Sequence, residues 1–476
     1  MLFCAPNWCP GLHPAPACGP GLQSRAEQRA ACCSFIVVLF WLHDTWLMNF
    51  ACSSCVLPFT SFLLLHYSVP CTLLYLPSSS SSLVLHSRAM KAQTLHLAPL
   101  TCLLVLSVNF LCGDCWTATE EVQALHDIYV NSLGKYWTWK NDSIADWNFT
   151  ISGEAVTDPC GSDGLPWEGL TCFPFGSECA SADEECHVTG IDLYNYNLVG
   201  SIPPSIGNFS YLEYLSFWTN RMTGSIPPEI GRLSGSLTFI DFDDNKYNGT
   251  VPEELFQLTK LTTLYLSRNL VSGSISDSLS AVSGLENLFM SNNGLTGTMP
   301  SLSAMSNLTY MSFQNNHLTG TLPTDVGSLT KLRLFNVPQN NLNGTIPVEF
   351  GEMTGLFYLG LGINDFTGTI PPALGKLENL IFLGMHFNSL TATIPSEMQS
   401  LKSMKNLWLH NNMLTGQVPR GGAMLESLES FFMYNNLLTG SLPSELGALP
   451  NVFVIRLYNN LLTGVIPSSI GRMSHV

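Results

Sequence analysis

The sequence predicts an α/β fold: a solenoid of about twelve 24-residue repeats with a concave parallel β-sheet and a disulfide-bearing N-terminal cap. Three observations lead to this fold class. One Leu-rich pattern recurs from Val188 to Val476, an Asn returns within it at near-constant spacing, and all 15 Cys precede it. Self-similarity at a period of about 20–50 residues is the sequence signature of stacked repeats, which bury a continuous core together.

The recurring Asn sets the register of the repeats. Eleven copies align on it, at spacings of 23 to 25 residues: Asn220, Asn245, Asn269, Asn293, Asn316, Asn340, Asn364, Asn388, Asn412, Asn436 and Asn460. The copy before them has Tyr196 in its place. Because a buried amide is costly unless it is hydrogen-bonded, we expect these side chains to bind turn backbone and the Asn of the next coil.

One clear copy, from Leu356 to Pro371, shows why the repeats must stack. Its inward positions are apolar but too few to form a core alone: Leu356, Leu359, Leu361, Phe366 and Ile370. The alternation around Gly360 predicts a short strand at residues 359–361, and stacked strands lie roughly 4.8 Å apart. Gly368 permits a turn with positive φ, and Pro371 closes the segment.

The pattern L-x-x-L-x-L-x-x-N-x-L, followed by L-T-G-x-I-P-x-x-[LI]-G, resembles the plant-type leucine-rich repeat across residues 188–476. This resemblance implies a twisted, right-handed leucine-rich-repeat solenoid with an extra strand after the Gly. Proteins similar in this way include ectodomains of receptor-like kinases, secreted inhibitors of wall-degrading enzymes such as polygalacturonases, and a few ice-binding proteins.

Residues 119–187 are predicted to form an N-terminal capping domain, because a terminal repeat needs a cover. We expect a helix that Thr119 caps and Gly134 ends. The segment that ends at Cys172 resembles the C-x-W-x-G-x-x-C element of plant-type caps, with Trp167 at the matching position. The tryptophans are expected to lie in the core of the cap rather than in a ligand site: Trp137, Trp139, Trp147 and Trp167.

Four cysteines of the capping domain indicate disulfides in a secreted protein: Cys160, Cys172, Cys179 and Cys186. Four Cys allow three pairings, of which we favour Cys160–Cys172 with Cys179–Cys186. Cys160 lies farther before the Trp of the cap element than the family pattern allows, which leaves its pairing open. A zinc site is the disfavoured alternative, because closely spaced Cys pairs are missing.

Residues 1–89 differ from the rest of the chain in their eight Cys and scattered Pro. We expect an atypical leader that is disordered or not translated. Two apolar stretches within it, Phe35–Leu42 and Phe62–Leu76, are shorter or more broken than a membrane helix requires, and a membrane anchor there is the alternative.

Residues 90–118 are predicted to be a signal peptide-like segment. Met90 and Lys91 give a basic start, an apolar core runs from Leu100 to Leu111, and small residues follow. Our hypothesis is that Met90 is the true start of the protein. At the other end, the repeats stop at Val476 without a C-terminal cap, so we expect a truncated gene model or a fragment. The sequence leaves open whether a membrane helix and a kinase follow in the full gene.

Composition and motifs exclude several classes of function. The net charge of −16 disfavours nucleic-acid binding, which requires a basic face. The sequence contains no phosphate-binding loop, kinase motif set, G-x-S-x-G or H-E-x-x-H. We therefore expect no enzyme activity, cofactor or metal. Six N-x-[ST] sequons fit a secreted glycoprotein: Asn141, Asn148, Asn208, Asn248, Asn307 and Asn343.

Stacking places equivalent residues side by side, so we expect the exposed face of the sheet to consist of columns one, two, four and six residues before each ladder Asn. Exposed aromatic clusters often mark interaction sites. One patch centres on Trp218 with Asp241, Asp243 and Asp244, and another on Trp408. The candidate ligand-binding residues are Trp218, Asp241, Asp243, Tyr265, Phe289, Tyr310, Phe382, His386, Trp408, His410, Phe432, Tyr434 and Tyr458.

Glycines separate the two patches, where Gly360, Gly362 and Gly384 predict a smooth, shallow stretch. His386 and His410 are neighbours on adjacent strands. A shared metal or a pH-sensitive pair is one reading. We favour two exposed polar residues without a metal, because no third ligand is near in the pattern.

These features predict an extracellular or cell-surface recognition module that binds a protein, peptide or glycan ligand on its concave face, with membrane attachment through the N-terminal apolar segments or a missing C-terminal part. A receptor ectodomain is one form of it. The alternatives are a secreted inhibitor of cell-wall-degrading hydrolases and a structural or adhesive wall protein.

Overall fold

The computed structural model describes residues 34–42, 45–52, 64–65, 103–109, 117–141, 146–161, 166–173, 186–421 and 423–473. The chain divides into two compact units, Met1–Asp114 and Cys115–Val476. The predictions of a leader at residues 1–89 and a signal peptide-like segment at 90–118 fall mostly outside the described residues and stay predictions. In the described parts, no helix is long and apolar enough to cross a membrane.

The first unit contains an antiparallel sheet among its described residues. Its strands pair in the spatial order third, second, first, fourth: Ser34–Leu42, Thr45–Cys52, Leu64–Leu65 and Leu103–Asn109.

The second unit is built on one long sheet of short strands. The 13 strands described in it pair in chain order: Leu170–Phe173, His187–Asp192, Tyr214–Ser216, Phe239–Asp241, Thr263–Tyr265, Asn287–Phe289, Tyr310–Ser312, Leu334–Asn336, Tyr358–Gly360, Phe382–Gly384, Asn406–Trp408, Ser430–Phe432 and Val454–Arg456. The first two strands are antiparallel and the others are parallel. The predicted strand at 359–361 therefore begins and ends one residue earlier.

A second row of strands accompanies the long sheet, as the family resemblance implied. These strands form smaller parallel sheets: Val199–Gly200 with Arg221–Met222; Asn248–Thr250, Leu270–Ser274 and Gly294–Thr296; Thr319–Thr321, Asn341–Thr345, Asp365–Thr369 and Ser389–Thr391; and Thr439–Gly440 with Leu461–Leu462. The turn glycine lies within the strand rather than before it, and Gly368 has the expected positive φ of 74°.

Short 3-10 helices close most coils after the Pro, where the fixed φ of Pro suits a helical start. They are Pro204–Asn208, Pro228–Gly235, Glu253–Gln257, Asp277–Ala281, Thr324–Ser328, Val348–Glu352, Pro372–Lys376, Ser396–Ser400, Ser444–Ala448 and Ser468–Arg472, and one α-helix, Ala423–Ser427, occupies the same place. The five inward positions predicted for the copy at 356–371 are at most 1% exposed. The Leu-rich pattern thus forms one continuous core.

Each ladder Asn joins its own coil to the coil before it. Asn364 donates from Nδ2 to the carbonyls of Val337, Leu361 and Gly362, at 3.0, 3.3 and 3.2 Å. Its Oδ1 accepts a hydrogen bond from the backbone N–H of Leu342 at 3.0 Å. The prediction that this side chain also bonds to the Asn of the next coil is wrong, because its amide group already makes hydrogen bonds to backbone groups of two coils.

The residue before each ladder Asn adopts the left-handed backbone conformation. Its φ is 55° at Asn315, 57° at Gln339, 55° at Ile363 and 52° at Phe387. Asn tolerates this region well, whereas β-branched and bulky residues rarely occupy it. Every coil therefore turns at a residue whose side chain points out beside the Asn ladder.

Tyr196 replaces the first ladder Asn because it anchors the capping domain. Its hydroxyl donates to Glu168 Oε1 at 2.7 Å, and its backbone N–H donates to Asn220 Oδ1 at 3.1 Å. Glu168 is 5% exposed and also accepts from the backbone N–H of Lys140 at 2.9 Å. Burial and Glu168 together raise the pKa of Tyr196 far above its ordinary value, so the hydroxyl keeps its proton.

The helix of the cap runs from Thr119 to Asn131, and its ends differ from the predictions. The N-cap is Ala118, without a side-chain hydrogen bond, so the prediction of Thr119 as the cap is wrong. The left-handed residue after the helix is Leu133, while Gly134 begins the 3-10 helix Gly134–Tyr136. Gly134 therefore does not supply the positive φ that ends the helix.

The cap core contains the predicted tryptophans. Trp137, Trp147 and Trp167 are 6%, 2% and 1% exposed, and Trp139 is partly buried against them. The disulfide Cys160–Cys172 is present, which removes the zinc alternative for these two residues. The prediction for Cys179 lies outside the described residues, so the second pairing stays a prediction.

The ladder makes a direct prediction for stability. Asn364→Ala removes the acceptor of the buried Leu342 N–H and the donor to three carbonyls. An unsatisfied buried group costs about 1–3 kcal/mol, so we expect a loss of at least that size in urea unfolding. Asn341→Ala is the matched control, because Asn341 is exposed one coil earlier. Equal destabilisation by the two changes would contradict the role of the ladder.

Candidate functional site

The register of the long sheet aligns the predicted columns on its outward face. In the column four residues before each ladder Asn, Gly360 pairs with Gly384, Gly384 with Trp408 and Trp408 with Phe432. Phe432 in turn pairs with Arg456, whose guanidinium lies 5.0 Å from the centre of the Phe432 ring. The spacing of the sequence therefore placed these residues correctly.

A stack of rings extends along the column two residues before each ladder Asn. The ring centres of His386 and His410 are 4.8 Å apart, those of His410 and Tyr434 are 4.4 Å apart, and those of Tyr434 and Tyr458 are 4.6 Å apart. With Trp408 and Phe432 beside it, this stack forms the C-terminal aromatic patch, whose members are His386, Trp408, His410, Phe432, Tyr434 and Tyr458.

The prediction that the two histidines are exposed polar residues is wrong. His410 is only 6% exposed, because its ring lies flat between those of His386 and Tyr434, and His386 is half-buried at the end of the stack. Burial lowers the pKa of both imidazoles, for His410 to about 4 with help from His386 and Arg456. The His410 ring is therefore neutral near pH 6. The described residues contain no cluster of three or more groups fit for a metal.

The N-terminal acidic patch consists of Trp218, Asp241, Asp243 and Asp244. Trp218 is 37% exposed and stacks on Tyr194 at 4.5 Å. Burial raises the pKa of Asp241 to about 6 and that of Asp243 to about 7, against backbone hydrogen bonds that lower both. Asp244 pairs with Arg268 at 3.8 Å, and both side chains are half exposed, so this pair contributes about 0–1 kcal/mol.

The remaining predicted aromatic residues connect or flank the patches. Tyr265 and Phe289 contact each other edge to face at 5.3 Å, next to the acidic patch. Phe382 contacts Trp408 at 4.9 Å and stacks on Tyr358 at 4.3 Å, which joins it to the C-terminal aromatic patch. Tyr310 is half-buried and lies 6.3 Å from Phe357, apart from both patches.

A recess lies where the sequence predicted a smooth, shallow stretch. Its volume is about 230 Å³, and we call it the glycine recess because Gly360, Gly362 and Gly384 form its floor. The other residues that border it are Gln314, Pro338, Gln339, Tyr358, Ile363, Phe382, His386 and Trp408. The three glycines are buried, because Asn336, His386 and Phe382 lie over the places that their side chains would take, and the surface between the bulky residues is a depression rather than flat.

Sequence reasoning missed a buried polar side chain, Asn336, which lies near the recess but does not line it. Asn336 is 9% exposed and donates from Nδ2 to Ser312 Oγ at 3.0 Å and Gln314 Oε1 at 3.1 Å. Its Oδ1 has no hydrogen-bond partner among the described residues. The three glycines were the available signal for the recess, but the hydrogen bonds of Asn336 to Ser312 and Gln314 depend on side-chain contacts between coils.

The glycosylation sequons lie off the strands of the concave sheet. Asn141, Asn148, Asn248 and Asn343 are exposed, while Asn208 and Asn307 are half-buried. Asn248 and Asn343 belong to the second row of strands, and Asn307 bonds to Ser283 O and Lys331 Nζ. Modification at these positions stays a prediction.

Comparison with known proteins agrees with the repeat architecture. The family model described as Leucine Rich Repeat matches residues 260–282 and 307–329. No curated protein matches the chain. Solved structures do match, and several are receptor ectodomains from plants.

One match is the ectodomain of the plant membrane receptor kinase GASSHO1/SCHENGEN3 from Arabidopsis thaliana, in complex with CASPARIAN STRIP INTEGRITY FACTOR 2. It is 32% identical over 60% of this chain and 37% of that chain, with a TM-score of 0.54. The PEPR1–AtPEP1 structure is 25% identical over 74% of this chain and 54% of that chain, with a TM-score of 0.52. The Arabidopsis HAESA ectodomain with its peptide hormone ligand, at 22% identity, agrees in fold alone.

These findings agree on the fold. The chain forms a leucine-rich-repeat solenoid, and it is similar to the ectodomains of plant leucine-rich-repeat receptor kinases. It spans 37% and 54% of the length of the first two structures named above.

The acidic patch predicts a pH dependence of stability. The raised pKa of Asp243 means that the folded state binds its proton more tightly than the unfolded state, so stability falls as the pH rises from about 4 to about 7. Asp243→Asn removes this loss. We expect its thermal midpoint to exceed that of the wild type at pH 8 and to match it at pH 4.

Asp244→Asn is the control, since the Asp244 side chain is 53% exposed. An equal shift for Asp243→Asn at both pH values would contradict the raised pKa.

Proposed function

We propose that this chain is an extracellular recognition module of the receptor type, which binds a peptide in extended form along its concave sheet. One observation carries the proposal: the outward columns form a row of exposed and half-buried aromatic side chains that the glycine recess interrupts. Trp and Tyr are the residues that most often dominate binding energy at interfaces.

An extended peptide suits this surface because it can contact many coils at once. Its residues repeat at about 3.3 Å, while the coils repeat at roughly 4.8 Å, so successive side chains meet different columns. The surface changes along its length from carboxylates near Asp241, through the uncharged recess, to Arg456. Such a sequence of environments discriminates between peptides by the order of their side chains.

Two further observations support an extracellular setting. The disulfide Cys160–Cys172 is typical of proteins that fold in an oxidising compartment. The sequons Asn248 and Asn343 lie on the second row of strands, so glycans there leave the concave sheet accessible.

The structural matches add support. GASSHO1/SCHENGEN3 was solved with CASPARIAN STRIP INTEGRITY FACTOR 2 bound, and PEPR1 with AtPEP1. The bound molecules are ligands of those matched proteins. They support a ligand-binding role for the repeats of this chain.

The proposal predicts the effect of removing two aromatic anchors. The double variant Trp408→Ala, Tyr434→Ala should weaken capture of peptides selected from a random dodecapeptide display library by at least about tenfold, since one buried aromatic anchor is worth about 2 kcal/mol or more. Surface plasmon resonance measures the affinities. Tyr136→Ala is the control, because Tyr136 is 60% exposed in the cap.

Other outcomes would contradict the proposal. Peptide capture that the double variant leaves unchanged would place the binding site elsewhere. A chain that captures no peptide but lowers the activity of a polygalacturonase would instead favour the hydrolase inhibitor.

A further inference from the structure

We infer that the stacked histidines His386 and His410 recognise a carboxylate of the ligand and take up a proton as that carboxylate binds. The inference rests on the proposed function, since it assumes a peptide on the concave face. It adds the chemical group that the C-terminal aromatic patch recognises, and it makes the affinity depend on pH. An Asp or Glu side chain or the end of the peptide can supply the carboxylate.

Charge differs between the two ends of the concave face. The N-terminal acidic patch repels a ligand carboxylate. In the described coils from Tyr358 to Tyr458, the positions one, two, four and six residues before the ladder Asn contain no Asp or Glu. The groups at these positions that can carry a positive charge are His386, His410 and Arg456. A carboxylate is therefore attracted to the C-terminal end of the face.

The two imidazoles are packed together, and one of them is accessible to a ligand. The ring centres of His386 and His410 are 4.8 Å apart, and Tyr434 covers the other side of His410. The His386 ring lies over Gly362, is half-buried and borders the glycine recess. A ligand group in the recess therefore contacts His386 directly and acts on His410 across the stack.

The other titratable groups near the pair leave it without an opposite charge. They are Tyr358, Lys405, Glu429, Tyr434, Arg456 and Tyr458. Glu429 is the acid in this set, and its carboxylate lies 2.8 Å from Lys405 Nζ. The charges that act on His410 come from His386 and Arg456, and both lower its pKa as positive charges do.

The free chain disfavours a charged imidazole at both positions. Burial, His386 and Arg456 lower the pKa of His410 to about 4, and burial lowers the pKa of His386. His410 is therefore uncharged at pH 5. Both Nδ1 atoms are buried and have no hydrogen-bond partner among the described residues, so the chain does not stabilise a proton there. The pair lacks a charge of opposite sign.

A ligand carboxylate supplies that charge. An opposite charge within about 4–6 Å favours the protonated imidazole and raises its pKa. The complex then holds a proton that the free chain does not, so binding strengthens as the pH falls. Two charged rings 4.8 Å apart would repel each other, so we expect one proton for the pair. The effect lies above about pH 5, because an ordinary carboxylate is itself protonated below a pKa of about 4.

The test selects dodecapeptides from a random display library on the full chain at pH 5. Selected peptides without His are synthesised, so that no imidazole of the peptide takes up the proton. Surface plasmon resonance measures their affinity at pH 5 and pH 7.5, and calorimetry in buffers of different ionisation enthalpy measures proton uptake. We expect about tenfold tighter binding at pH 5 and uptake of about one proton per peptide.

Peptide variants identify the source of the carboxylate. In one set each Asp or Glu becomes Asn or Gln, and in the other the C-terminal carboxylate becomes an amide. We expect one of these changes to remove both the pH dependence and the proton uptake. If every variant retains both, the recognised group is not a carboxylate and the inference is wrong.

The double variant His386→Gln, His410→Gln replaces both imidazoles with uncharged side chains. We expect it to bind the selected peptides equally at pH 5 and pH 7.5, without proton uptake. His317→Gln is the matched control, because His317 is exposed and lies outside the C-terminal aromatic patch, and it should keep the pH dependence. If the double variant unfolds, His386→Gln alone is used, and it should reduce the proton uptake.

The outcomes separate this inference from the proposed function. Equal affinity of the wild type at both pH values, or a pH dependence that the double histidine variant retains, would overturn the inference. A pH dependence that Asp243→Asn removes instead would place the proton at the N-terminal acidic patch. Each of these results leaves the proposed function intact if the Trp408→Ala, Tyr434→Ala variant loses affinity. Failure to select any peptide that depends on Trp408 and Tyr434 would overturn both.

Discussion

The hydrogen bonds of the ladder Asn side chains are the constraint on which the rest of the structure depends. Each amide bonds to backbone groups of two consecutive coils, as Asn364 does with Val337, Leu361 and Leu342. Because the repeats contain no Cys, these bonds and the apolar core hold the coils in one register. That register fixes which side chains are neighbours on the concave face, so it also determines the composition of the candidate site.

The parts of this structure that follow from backbone repetition could be predicted from the sequence. Counting back from each Asn placed Gly384 beside Trp408, and Trp408 beside Phe432, as the strand pairing shows. The inward apolar positions and the buried tryptophans of the cap followed from pattern and size. These features depend on a period or on a strong burial preference, and both are visible without a structure.

The parts that depend on contacts between side chains could not be predicted. Small residues in the outward columns, such as Ser216 and Ser312, are 2% and 4% exposed because large neighbours cover them. The same effect buries His410 and Asn336 and turns a row of glycines into a recess. In the sequence, Tyr196 was an exception to the repeated Asn. In the structure its hydroxyl binds Glu168 of the cap, and a contact between residues 28 apart in the chain could not be predicted from the repeat pattern.

The residue before each ladder Asn must adopt the left-handed backbone conformation, and its side chain also forms part of the exposed surface. Asn occupies it with little strain, but Ile363 and Phe387 hold it at φ values of 55° and 52° beside the glycine recess. Such conformations cost a β-branched or bulky residue on the order of 1–2 kcal/mol. Ile363 and Phe387 are also 39% and 49% exposed, so they gain little from burial in return. A ligand that covers these two side chains would bury them and offset part of that cost.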